Sequence, residues 1–214
     1  MSPQFRPITL GEDLEVAVEG VVVQTWRDGV LALAGTSFGM VTAATTLRTP
    51  VGRFELAAGM FFVEPGEATV EGGAGYAITT PWRGLRQLGG PVETTGRLRY
   101  IDGCTDTLVV APPRLGDPCL NHLHIPAGTL QSSHTHPSLR AGVILGGRGR
   151  CVTPGGTFDL RPGMGWVIPT GLLHAFHTDD VALDVLAWHP DSDFGPTDGF
   201  HPMINRTILP GAAP

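Results

Sequence analysis

An all-β fold of the sandwich or barrel class is what this sequence predicts, and three observations predict it. Short runs rich in Val, Ile, Thr and Phe alternate with turn signals. Thirty glycines and nineteen prolines punctuate those runs. No long segment carries a 3.6-residue apolar period, so no substantial helix is expected. In chain order, residues 16–24, 59–63, 97–101, 107–111 and 120–125 read as strands, followed by 141–145, 165–168 and 181–188. Glu71-Gly-Gly-Ala-Gly and Pro154-Gly-Gly mark turns between them.

The next level of organisation is a repeat. Residues 49–65 match residues 153–169 without a gap at an offset of 104, with Thr, Pro, Gly, Phe, Leu, Gly, Met, Val and Pro shared. A period of half the chain indicates duplication of one domain, because solenoid repeats run about 20–50 residues. Two tandem β-domains are therefore expected, residues 1–90 and 91–214, with a seam near Leu88-Gly-Gly-Pro91. All eight histidines lie in the second.

Composition removes several function classes. There is no lysine, which excludes Schiff-base chemistry and a P-loop lysine. Net charge is −6 and the arginines are scattered, so no basic footprint for nucleic acid exists. No apolar run approaches the ~18 residues of a membrane span, and Met1-Ser-Pro-Gln-Phe-Arg lacks the layout of a signal peptide. A cytoplasmic protein with neither nucleic-acid nor membrane partners is expected. Cys104, Cys119 and Cys151 form an odd, dispersed set that fits buried small hydrophobes better than a disulfide framework or a cysteine-rich zinc site.

Three histidines carry the chemistry. His134 and His136 are two residues apart, so on a strand both imidazoles share one face. His174, from a distant stretch, would complete a facial set that keeps open positions for substrate or water. Transposed back by 104, these positions fall on Val30, Ala32 and Val70, none of which binds a metal. The first domain thus reads as a copy without the site.

The same stretches resemble the two signature motifs of the cupin superfamily. The first motif has the form G-x5-H-x-H-x3-E-x6-G, and Gly128, His134, His136 and Gly147 fall in register with it. The second has the form G-x5-P-x-G-x2-H-x3-N, matched by Gly163, Pro169, Gly171 and His174. The resemblance implies two tandem cupin (jelly-roll) β-barrels, a bicupin with a degenerate N-terminal domain. It also implies one divalent metal ion on His134, His136 and His174. Fe(II) is the favoured ion, with Zn, Ni, Mn or Cu as alternatives that ligand type alone does not exclude.

Two positions depart from the pattern. Thr178 replaces the Asn of the second motif, and Arg140 stands where the first places a glutamate ligand. A guanidinium cannot ligate a metal. Arg140 could anchor a substrate carboxylate or phosphate beside a neutral three-histidine site, turn outward into a salt bridge, or weaken metal binding. His122 and His124 share one face of the strand entering the first motif; if that face is inward they would serve as acid, base or a further ligand, and otherwise they are partly exposed strand residues. Trp166, Phe176 and Leu145 are candidate apolar walls. His177 reads as facing away, and His189 and His201 flank a Pro- and Asp-rich loop without an assigned role.

The expected activity is a three-histidine Fe(II) dioxygenase acting on a small anionic substrate, in a homodimer. A redox-neutral isomerase or lyase, or a non-catalytic small-molecule binder, stays open. A His/Tyr acid–base version is disfavoured, because Tyr76 and Tyr100 both lie outside the motif-bearing stretch.

Overall fold

A computed structural model describes residues 4–207. The outer ends of the two expected domains, residues 1–3 and 208–214, lie outside the described residues. The fold is all-β, with four antiparallel sheets. The largest runs, edge to edge, through Arg6–Thr9, Met164–Ile168, Arg140–Gly147, Leu183–His189, Cys119–Ile125, Thr105–Val110 and Leu98–Arg99. A three-stranded sheet of Gly156–Leu160, Gly149–Thr153 and Ala175–His177 accompanies it. The first half builds a six-stranded sheet in the order Gln87–Gly89, Phe61–Pro65, Thr36–Ala43, Ala74–Thr80, Val21–Arg27 and Glu15–Val18. Val30–Leu33, Ala68–Glu71, Thr45–Thr49 and Gly52–Leu56 form its companion.

The strand order recurs. Thr36–Ala43, Thr45–Thr49 and Gly52–Leu56 occupy the places taken 104 residues later by Arg140–Gly147, Gly149–Thr153 and Gly156–Leu160. Arg6–Thr9, from the start of the chain, closes the edge of the second half's sheet, the place Gln87–Gly89 takes in the first.

Three apolar clusters hold these layers together. One lies within each half: Val41, Leu47, Phe62 and Val70 in the first, and Ile144, Leu160, Trp166 and Val185 in the second. The third joins the two large sheets back to back, with Val23, Phe38, Met40 and Ile78 against Leu120, Val143, Leu186 and Trp188. Tyr76 crosses this seam to donate its hydroxyl to the Trp166 carbonyl at 3.1 Å. Both faces of the second large sheet are consequently covered, which decides how its side chains divide.

Several sequence readings need adjusting. The run 16–24 is two strands, Glu15–Val18 and Val21–Arg27, because Glu19 and Gly20 both take positive φ in a tight turn. The run 97–101 keeps only Leu98–Arg99 as strand before a 3-10 turn. The central strands Thr36–Ala43 and Ala74–Thr80 were not legible. Each is buried on nearly every residue and so lacks alternation.

Candidate metal centre

The two histidine-bearing stretches are zipped together by their own backbones. His134 and His174 exchange reciprocal N–H to carbonyl bonds of 3.0 Å, and Gly171 N–H donates to the His136 carbonyl at 2.9 Å. The expected strand under His134 and His136 is not a ladder. It is an extended segment whose pairing with His174 is an isolated bridge. Glycine makes that path available. Gly128, Gly147, Gly163 and Gly171 all take φ between +72° and +86°, a region that L side chains with a Cβ avoid. Thr178 Oγ accepts from Thr129 N–H at 3.0 Å and donates to the Pro126 carbonyl at 2.5 Å, tying the end of the second stretch to the start of the first.

Three imidazoles converge as a result. Ring centroids of His134, His136 and His174 lie 4.5–5.1 Å apart, and one ligating nitrogen from each falls within 4.8 Å of the others. A carbonyl oxygen only accepts, so the Nδ1 of His134 carries a proton toward Ser132 O at 2.8 Å. The Nδ1 of His174 does the same toward Leu172 O at 2.9 Å. Each ring is thereby oriented with Nε2 as its free lone pair, the arrangement of a metal-bound histidine. Burial, reinforced by Arg140 and the neighbouring imidazoles, pushes His136 down to about 3. Burial likewise lowers His174 to about 4, with His134 and Arg140 adding to it against the Leu172 carbonyl. Both are neutral, hence ligating, near neutral pH. The donor set fits one divalent ion with positions left open.

The imidazoles face a cavity of about 300 Å³ within the second half. Trp166, Phe176, Leu123 and Ile168 form its apolar walls. The Trp166 indole lies where a Cβ on Gly142 would sit, so glycine there makes room for the wall. Arg140 lines the cavity and is only 7% exposed. Its Nη1 donates to Ser138 O at 3.2 Å, Ser138 Oγ at 2.5 Å and Leu139 O at 3.0 Å. Asp191 stands 3.7 Å from that nitrogen. Among the described residues Nη2 makes no hydrogen bond, and buried Nε has no partner.

His122 and His124 are corrections. Asn121 and Leu123 take the cavity side of Cys119–Ile125, which turns His122 and His124 to the opposite face. There both rings share one oxygen of Asp184, at 3.1 and 2.8 Å. Neither reaches the three imidazoles as acid or base. Leu145 also falls outside the wall and packs at the seam between the large sheets. All three cysteines are buried, and burial pushes Cys119 and Cys151 up to about 12. The loop after His189 folds back on its own chain, where Asp198 pairs with Arg114 at 2.7 Å.

Tyr100, Asp106, Asn121, Gln131 and His189 line the cavity and were missed. Tyr100 and Asp106 come from sheet-edge segments more than twenty residues before the first motif. The His189 ring stands 6.5 Å from His136 and is lowered well below its ordinary value by burial, then by Arg140 and His136. A usable signal existed for it alone: His189 keeps the inward parity of Ala187 on Leu183–His189.

Comparison with known proteins bears on this geometry. A cupin-domain family model matches residues 121–189. The chain carries a cupin domain. Among solved structures, the chain resembles a Cupin 2 conserved barrel domain protein from Leptotrichia buccalis, with 12% identity, 88% of this chain and 89% of that one covered, and a TM-score of 0.59. It resembles protein Ylba from E. coli at 13% identity, 92% and 94% coverage and a TM-score of 0.62. Salicylate 1,2-dioxygenase from Pseudaminobacter salicylatoxidans aligns at 12% identity, 83% and 75% coverage and a TM-score of 0.61. At such identities the likeness is one of fold. Among curated proteins no sequence matches the chain. No helix of the described residues is long and apolar enough to cross a membrane.

Proposed function

We propose that this cupin is a mononuclear metal-dependent enzyme of the three-histidine kind, an Fe(II) dioxygenase acting on a small carboxylate with an apolar body. The observation that carries this reading is the convergence of His134, His136 and His174 on an apolar-walled cavity that also contains Arg140. Fe(II) held there would supply redox chemistry with molecular oxygen. Everything else falls to the chain. Ser132 O and Leu172 O orient two of the rings. Ser138 and Leu139 lock one guanidinium nitrogen, leaving Nη2 of Arg140 to receive a carboxylate through a charge-assisted hydrogen bond. Trp166, Phe176 and Leu123 exclude water and shape the space for the apolar body. The likeness to a structure named as a salicylate dioxygenase supports the oxidative version.

The first half, in this reading, is a duplicated barrel that lost its ligands and buttresses the second through the seam. A homodimer, tested by light scattering, and a cytoplasmic location belong to the same proposal. Metal analysis with oxygen-uptake measurement tests the chemistry. About one Fe per chain is expected, lost in His134→Ala, with oxygen consumed on adding aromatic carboxylates. A protein that binds no metal, or a His134→Ala variant that keeps it, refutes the proposal.

A second reading gains from the placement of Tyr100 and His189 in the cavity, which supplies an acid–base pair without redox change. Turnover under strict anaerobiosis would favour such an isomerase or lyase.

A further inference from the structure

The cavity holds two opposite charges that do not meet each other. Arg140, on Arg140–Gly147, is nine-tenths buried, and its Nε has no partner. Asp106, on Thr105–Val110, turns inward with Asn121 and Leu123. One Asp106 oxygen accepts from Asn121 Nδ2 at 2.8 Å. Among the described residues its other oxygen makes no hydrogen bond, and no ion pair reaches it. Arg99 stands on the exposed rim and forms no salt bridge with it. Burial raises the Asp106 carboxyl, and the hydrogen bond it accepts from Asn121, with the nearby His122, only partly offsets that.

Two strands, Leu183–His189 and Cys119–Ile125, separate the strand of Arg140 from that of Asp106. Three inter-strand steps, about 14 Å, separate the two strands, and the pairing sets Asp106 level with Ile144, four residues or about 13 Å along the strand from Arg140, so the two charged ends do not meet and a ligand with well-separated charges can bridge them. A half-buried charge without a partner is costly, and a ligand that supplies the opposite charge recovers that cost on binding. Leu123 and Phe176 line the same cavity.

We infer that the substrate is an ω-amino carboxylate: a carboxylate for Arg140 at one end, an ammonium for Asp106 at the other, and an apolar, ring-sized body between. This rests on the cavity being the substrate site and specifies what enters it. An α-amino acid does not satisfy it, because its two charges are too close together to reach both residues.

The test is calorimetric titration of the metal-loaded protein without oxygen, using three probes. They are 4-(aminomethyl)benzoate, 4-methylbenzoate and benzylamine. The first is expected to bind at least about tenfold more tightly than either single-charge probe, the size of one charge-assisted hydrogen bond. Asp106→Asn keeps the hydrogen-bonding shape beside Asn121 and is expected to erase that preference. Asp106→Asn should bind 4-methylbenzoate at least as tightly as wild type, because a negative charge leaves the cavity that takes the anion, and this also reports that the variant is folded. Equal binding of 4-methylbenzoate and 4-(aminomethyl)benzoate overturns the inference. So does a preference that survives in Asp106→Asn, or failure of all three probes to bind at millimolar concentration. Because the readout is binding, the inference can hold while the oxygen-dependent reading fails, and the converse.

Discussion

Replacing Arg140 by Met separates the role of this side chain in binding from any role in folding. Met is close in length and apolar, so it fills the space that the 7%-exposed arginine occupies. Removing the guanidinium frees Ser138 Oγ and two carbonyls, of Ser138 and Leu139, from Nη1. It also removes a buried cation whose Nε is unsatisfied and whose ion pair with half-exposed Asp191 is long at 3.7 Å. Those effects oppose one another, and the net change in stability is expected to stay within about 1.5 kcal/mol, or ~5 °C in Tm for a chain of this size. Binding has no such compensation. The charge-assisted pairing of Nη2 with the ligand carboxylate is lost, about 1.5–3 kcal/mol and roughly ten- to a hundredfold in Kd for 4-methylbenzoate. Calorimetry on metal-loaded wild type and Arg140→Met, beside thermal melts and metal content, measures all three quantities. A loss of affinity below about threefold would refute the carboxylate role. A fall in Tm beyond ~10 °C would show instead that Arg140 holds the fold.

Three further outcomes follow from the same geometry. His174→Ala should abolish metal binding, whereas His122→Gln, on the opposite face with Asp184, should retain a full complement by metal analysis. Gly147→Ala should destabilise by more than about 2 kcal/mol in urea unfolding, since φ is +78° and the added Cβ would strike the Ala182 carbonyl. Burial opposes ionisation of Asp184, but hydrogen bonds from His122 and His124 outweigh it and hold the carboxyl below its ordinary value. A carboxyl lowered by folding adds stability that is complete above its unfolded value and is lost as pH falls through the folded one. The stability advantage of wild type over Asp184→Asn, about 1 kcal/mol near pH 7, should therefore shrink below about pH 4 in denaturation at stepped pH. An advantage that stays constant down to pH 2 contradicts this.

Much of the candidate metal centre was legible because its parts are local. His134 and His136 sit within one motif, His174 within the other, and the glycines around them occupy backbone positions that only glycine takes easily. The matched segments 49–65 and 153–169 likewise anticipated strands that recur at the same offset. The substrate side was not legible. On Cys119–Ile125 the sequence separates Asn121 and Leu123 from His122 and His124, but it cannot say which pair looks inward. Period-two alternation assigns a face when one side is water and the other is core. Here one face meets the cavity and the other meets the first half's sheet, so both sets are shielded. Tyr100, Asp106 and His189 enter the cavity from segments far apart in the chain, and sheet order alone unites them.

By itself, then, the sequence determined the all-β class, the internal repeat, and a three-imidazole donor set confined to the second half. Those are properties of residue type and short spacing. The tertiary structure decided that Arg140 is buried in the cavity rather than turned outward, that His122 and His124 face away, and that Asp106 lines the same cavity as Arg140. Each of these depends on which face of a doubly covered sheet encloses the cavity, a choice made only when the layers pack.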